Sequence, residues 1–186
     1  MKLLLLYGTT EGQTQKVARF MAEHLAEQGH QTLLLNAMEA SASNGSAKNG
    51  TLAAQGIDRV IIAASLHAGR YQSPVIHFVR EHLSEINARP NAFISVSLAA
   101  ASHDDDDIDG LKQCIAEFTH QTGWTPQRIH HVAGAFRYTS YDFLKRWAMK
   151  YIAYRKGAPT DTRRDYELTD WADLAQFADT FVQAAR

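Results

Sequence analysis

The chain has 186 residues, of which 45% are apolar and 21% charged, with a formal net charge of −1 and a single cysteine. That is enough for one α/β domain with one sizeable core, and not for two. The composition excludes an internal disulfide and a cysteine-rich metal site, and no apolar run reaches the roughly 18 residues a membrane span needs.

Met1 to Tyr7 is a continuous apolar run broken only by Lys2, the pattern of a strand buried on both faces. It is too short for a signal peptide, and a Gly/Thr turn stands where a cleavage site would lie. Gly8 to Gly12 is the turn. From Gln13 to Gln28 apolar residues recur at Val17, Met21 and Leu25 with helical spacing, and Gly29 suits the helix stop. Gln31 to Asn36 is the second strand. Residues 37–55, rich in Ala, Ser, Asn and Gly, read as a loop or weak helix. Ile57 to Ser65 is the third strand. Ser73 suits the cap of a helix opening with Pro74, whose buried face is Val75, Phe78, Val79, Leu83 and Ile86.

Asn91 to Leu98 is the fourth strand. The next helix buries Ile108, Leu111, Ile115 and Phe118, with Cys114 as a core position. It is preceded by four consecutive aspartates, Asp104 to Asp107. These read as a solvated acidic turn at the helix start, since the full spacing of a calcium loop is absent. Arg128 to Ala135 is the fifth strand; its adjacent His130 and His131 point to opposite faces, a poor metal geometry. Thr169 suits the cap of the last helix, which buries Trp171, Leu174, Phe177, Ala178 and Phe181. Five alternations of strand and helix argue for a single α/β domain over 1–186, with a parallel sheet covered on both faces.

The turn after strand 1 reads Gly8-Thr9-Thr10-Glu11-Gly12-Gln13-Thr14. Gly12 lets backbone approach an anion. The helix start offers unpaired N–H groups, and Thr9, Thr10 and Thr14 add hydroxyls. With no lysine and no G-x-G-x-x-G, this is neither a Walker loop nor a dinucleotide loop. A cradle of N–H and hydroxyl donors suits a phosphate monoester; the same residues also fit a plain capped turn.

The loop resembles the flavin mononucleotide (FMN) loop of flavodoxins. Further segments resemble the flavodoxin-type, quinone-dependent protoporphyrinogen IX dehydrogenases of bacteria. They are Asp58-Arg59-Val60-Ile61-Ile62 with Ala64-Ser65, Gly69-Arg70-Tyr71, Ala92-Phe93-Ile94-Ser95-Val96, Gly134-Ala135-Phe136-Arg137-Tyr138, Thr160-Asp161-Thr162-Arg163 and Thr169-Asp170-Trp171. The resemblance spans nearly the whole chain. It implies a flavodoxin-like three-layer sandwich with a five-stranded parallel sheet in the order 2-1-3-4-5 and FMN at the switch between strands 1 and 3. It also implies oxidation of protoporphyrinogen IX, a step of haem biosynthesis, with electrons passing through FMN to a membrane quinone. The other reading is a flavodoxin-type electron carrier serving a reductase. Two departures stand out: the family's loop after strand 4 is typically basic, and Gly8 replaces a hydroxyl residue common among relatives.

On this reading Thr9, Thr10, Glu11, Gly12, Gln13 and Thr14 hold the phosphate. Ser65, Leu66, His67, Ala68, Gly69 and Tyr71 border the flavin ring, and Ser97, Leu98 and Ala99 serve its pyrimidine end. Tyr71 either stacks on the ring or caps the next helix. His67 is either a proton carrier or a surface residue, and no other side chain is given a catalytic role. Arg70 and Arg137, with Tyr138, are candidates for the substrate's propionates, since arginine pairs with carboxylates through two parallel hydrogen bonds; each arginine also fits a surface ion pair.

From Arg137 to Arg164 stand eight Lys/Arg against two Asp/Glu, while the remainder holds eleven against eighteen. Over 139–156 a helical plot puts Asp142, Lys145, Arg146, Met149, Lys150, Ala153 and Lys156 on one arc. Tyr141, Phe143, Leu144, Trp147, Ala148, Tyr151, Ile152 and Tyr154 fall opposite. Such a helix either lies on an anionic membrane or packs its aromatic face as core. The expected setting is the cytoplasm, with peripheral contact on the inner face of the cell membrane. Neither a nucleic-acid partner nor a metal is expected.

Overall fold

The computed structural model describes residues 1–42, 52–102, 104–136, 163 and 166–184. Five strands form one parallel sheet: β1 (Lys2–Gly8), β2 (Gln31–Asn36), β3 (Arg59–Ser65), β4 (Asn91–Ser97) and β5 (Arg128–Ala133). Their spatial order is β2-β1-β3-β4-β5, the flavodoxin-like order, with Leu5 of β1 lying between Leu34 of β2 and Ile61 of β3.

The apolar run of β1 divides between two cores because successive side chains leave a strand on opposite faces. Leu3, Leu5 and Tyr7 join Val17, Met21 and Leu25 of α1 (Gln13–Glu27), and Leu174, Ala178 and Phe181 of α6 (Trp171–Gln183). Leu4 and Leu6 join the other layer, built from α2 (Ala37–Ala42), α3 (Ser73–Glu81), α4 (Leu83–Asn87) and α5 (Asp105–Thr122). There Phe93 and Phe118 stack with centroids 4.6 Å apart, and Trp124 meets both edge-on. Cys114 packs beside this core, and partial burial raises its thiol pKa.

Several boundaries depart from expectation. β3 starts at Arg59, with Ile57 ahead of it packed in the same core layer as Leu4 and Leu6, and β4 ends at Ser97. The helix expected from Ser73 breaks at His82 into α3 and α4, and its cap is the extended Gln72, so the Ser73 hydroxyl caps nothing. Ile108 is exposed in the first turn of α5. That helix is capped by Asp104, whose carboxylate accepts from the Asp106 amide, while Asp105, Asp106 and Asp107 stand at its positive end. The fifth strand stops at Ala133. Gly134 then donates to the Ser97 carbonyl. The chain next forms β6 (Ala135–Phe136), antiparallel to β7 (Tyr166–Glu167). α6 is capped by Asp170, which accepts from the amides of Ala172 and Asp173. Thr169 faces the other way, toward β5. The basic aromatic segment 139–156 lies outside the described residues.

Candidate flavin cleft

The carboxyl ends of β1, β3 and β4 open into a cleft of about 280 Å³, lined by three loops and by Gly134 and Ala135. Thr9, Thr10, Glu11, Gln13 and Thr14 line it from the first loop. Ser65, Leu66, His67, Ala68 and Gly69 line it from the second, and Ser97, Leu98 and Ala99 from the third. Two residues expected beside them do not line it. Gly12 sits behind the first loop, as the left-handed start of α1 at φ 85°. Tyr71 is core: its ring lies edge-on to Phe93 and Phe118, and its hydroxyl meets that of Ser95 at 2.8 Å. Desolvation pushes the Tyr71 pKa up to about 12 despite that bond. Tyr71 therefore neither stacks on a ring in the cleft nor caps a helix; it is part of the aromatic core.

The hydroxyls of the cleft share a polarity. Thr9 Oγ1 accepts from the Gly12 amide at 2.8 Å. Thr10 Oγ1 accepts from Gln72 Nε2 at 3.0 Å, and Ser65 Oγ accepts from the same nitrogen. A hydroxyl that accepts from the protein keeps its own proton for another partner. Thr14 is fully buried at the start of α1, and its hydroxyl has no partner. Gln13 is held sideways: its Nε2 donates to Thr169 Oγ1 at 2.9 Å, and that hydroxyl donates to the Ala133 carbonyl at 2.7 Å. Thus the misplaced helix cap instead ties the first turn of α1 to the end of β5.

The second loop is a tight turn. His67 and Arg70 exchange backbone hydrogen bonds of 2.9 and 3.1 Å, while Ala68 and Gly69 adopt φ of 49° and 76°. Two successive left-handed residues are the geometry of a type I′ turn. His67 and Arg70 are exposed, and Arg70 forms no salt bridge among the described residues. Arg137 and Tyr138 lie outside those residues. Val96, Gly134 and Ala135 also line the cleft and were not expected to; Gly134-Ala135 begins one of the family-like segments, which was the available signal. Nothing in residue pattern marked Gln72.

Residues 4–163 match the flavodoxin domain family. The chain belongs to the flavodoxin family. That membership implies flavin binding, and the cleft at the strand ends is the candidate site for it. Among similar relatives, protoporphyrinogen IX dehydrogenase [quinone] of Escherichia coli K12 is 33% identical, over 96% of this chain and 93% of its own. The protein of the same name from Leishmania major is 29% identical, over 97% of this chain and 74% of its own. Flavodoxin 1 of Bacillus cereus shares the fold with a TM-score of 0.56, at 13% identity and full coverage of both chains.

A flavin's parts find suitable surroundings in the flavodoxin cleft. The unpaired Thr14 hydroxyl and the outward-donating Thr9, Thr10 and Ser65 fit an anionic end. Leu66, Val96 and Leu98 offer apolar surface for a flat ring. Ala68 and Gly69 spend no amide on closing their turn, which leaves those N–H groups for ring atoms.

Proposed function

We propose that the chain is an FMN-dependent protoporphyrinogen IX dehydrogenase that delivers electrons to a membrane quinone. The donor polarity of the hydroxyls supports FMN over a flavin without phosphate: Thr9, Thr10 and Thr14 of the first loop, with Ser65 at the end of β3, line the cleft with protons free to donate, which suits a phosphate monoester. The substrate and the acceptor come from the relatives' names. Bound FMN would supply the redox chemistry, taking electron pairs from the porphyrinogen and giving them to quinone.

The protein's part is positioning. Thr9, Thr10, Glu11, Gly12, Gln13 and Thr14 would hold the phosphate end. Residues 66–69 and Ser97, Leu98 and Ala99 would border the ring, while Ser65, where the two loops meet, would present its hydroxyl to the phosphate end. Exposed Arg70, at the rim, would take a propionate, and Arg137 and Tyr138 are assigned the same role. His67, exposed in the same turn, would relay a proton released as the porphyrinogen is oxidised. The overall reaction converts protoporphyrinogen and three quinones into protoporphyrin and three quinols.

The charge pattern of the basic segment supports a peripheral membrane contact through 139–156, where each Lys or Arg adds about 1 kcal/mol at an anionic surface. Among the described residues no helix is long and apolar enough to cross a membrane. Flotation with anionic liposomes at low salt should recover the protein with the lipid; recovery in the bottom fraction rejects the contact.

The decisive experiment is anaerobic titration of the purified protein with protoporphyrinogen IX. The flavin absorbance should bleach and return on adding a quinone. No bleaching, with fast reduction by a flavodoxin reductase, would establish an electron carrier instead.

A further inference from the structure

Gln72 immediately precedes α3, and its side chain reaches back over the end of β1. Its one amide nitrogen serves two loops: it donates to Thr10 Oγ1 at 3.0 Å in the first and to Ser65 Oγ at the end of β3. Gly8 makes the room. A Cβ at that position would lie 3.1 Å from Gln72 Oε1 and would overlap the Val75 methyl group. The amide oxygen of Gln72 is buried with no hydrogen-bond partner, so the group is held through its two hydrogens.

We propose that Gln72 is a positioning residue for the cofactor's phosphate, setting the Thr10 and Ser65 hydroxyls as outward donors. This rests on the FMN reading above. Each hydroxyl carries one proton and can also accept. Because both accept from Gln72, both protons remain for the cleft. An acceptor in place of the Nε2 group would draw those protons inward and turn oxygen lone pairs toward the phosphate, which repels it. Gly8 has no side chain to compete for either hydroxyl. One residue outside the cleft thereby fixes the sign of two groups that line it, and joins the phosphate loop to the ring loop.

The test uses the full-length apoprotein titrated with FMN and with riboflavin, read by quenching of flavin fluorescence. The wild-type chain should prefer FMN. Gln72→Met, similar in size but without a donor, should lose about tenfold in FMN affinity and keep its riboflavin affinity. Thr10→Val should behave alike, and the double variant should be no weaker than the weaker single one. Gln72→Glu, of the same shape, carries the same expectation with a larger loss if the methionine variant does not fold. Equal losses for the two ligands, an additive double variant, or an undiminished FMN preference in Gln72→Met overturns the proposal alone. A wild-type chain that binds riboflavin as tightly as FMN overturns the phosphate reading itself.

Discussion

Ala68 is the non-glycine residue with positive φ among the described residues, and it lies in the turn that borders the flavin cleft. A side chain there costs about 1 kcal/mol in backbone strain. Replacing it by glycine removes that cost but frees the unfolded chain, which returns part of it. The expected result for Ala68→Gly is a net gain of about 0.5 kcal/mol, seen as a slightly higher urea midpoint. His130 is a second residue-scale case. Its ring stacks on Phe177 at 4.5 Å, and Nε2 lies 3.1 Å from Asp173 Oδ2. Burial lowers its pKa, and the Asp173 carboxylate only partly opposes this. The unfolded chain thus binds more protons than the folded one as pH falls through about 6.5, so this contribution is present above that pH and lost below it. Thermal melts of His130→Phe, which keeps the stacking, should fall less between neutral pH and mild acid than those of the wild-type protein.

Among the elements, α6 shows how neighbouring residues divide two tasks. Asp170 caps the helix, so Asp170→Ala should cost about 1 kcal/mol of stability while leaving flavin affinity nearly unchanged. Thr169 instead links Gln13 at the phosphate loop to the Ala133 carbonyl of β5. Thr169→Val should weaken flavin binding several-fold at a comparable cost in stability. Parallel denaturant and flavin titrations of the two variants check this division. The residue pattern placed the helix start within one residue. It did not separate the two roles, because Thr and Asp are both good caps, and the choice depends on β5 standing beside Thr169.

Across the whole molecule, Asn91 joins elements that the chain order keeps apart. It is 1% exposed. Its Oδ1 accepts from Trp124 Nε1 at 3.2 Å and the Gln127 amide at 3.1 Å. Its Nδ2 donates to the carbonyls of Ile86 and Arg89. The residue therefore ties α4 and β4 to the connection from α5 into β5. Asn91→Leu would keep the volume but strand several buried polar groups, and should cost about 3 kcal/mol or more in equilibrium unfolding.

What residue order alone determined is the local grammar. The apolar runs of β1, β3 and β4, the helical spacing of α1 and α6, and the hydroxyl-rich turn after β1 were all legible, because each depends on near neighbours in the chain. Most of the cleft followed once the loops at strands 1, 3 and 4 were taken together. Only the tertiary structure decided which of those residues face the cleft. Tyr71 left it for the aromatic core, since Phe93, Phe118 and Ser95 come to it from distant segments. Gln72 entered its supporting framework because Gly8, 64 residues earlier, leaves the space. Contacts of that kind are made by packing across the sheet, and local sequence carries no trace of which distant surface a side chain will meet.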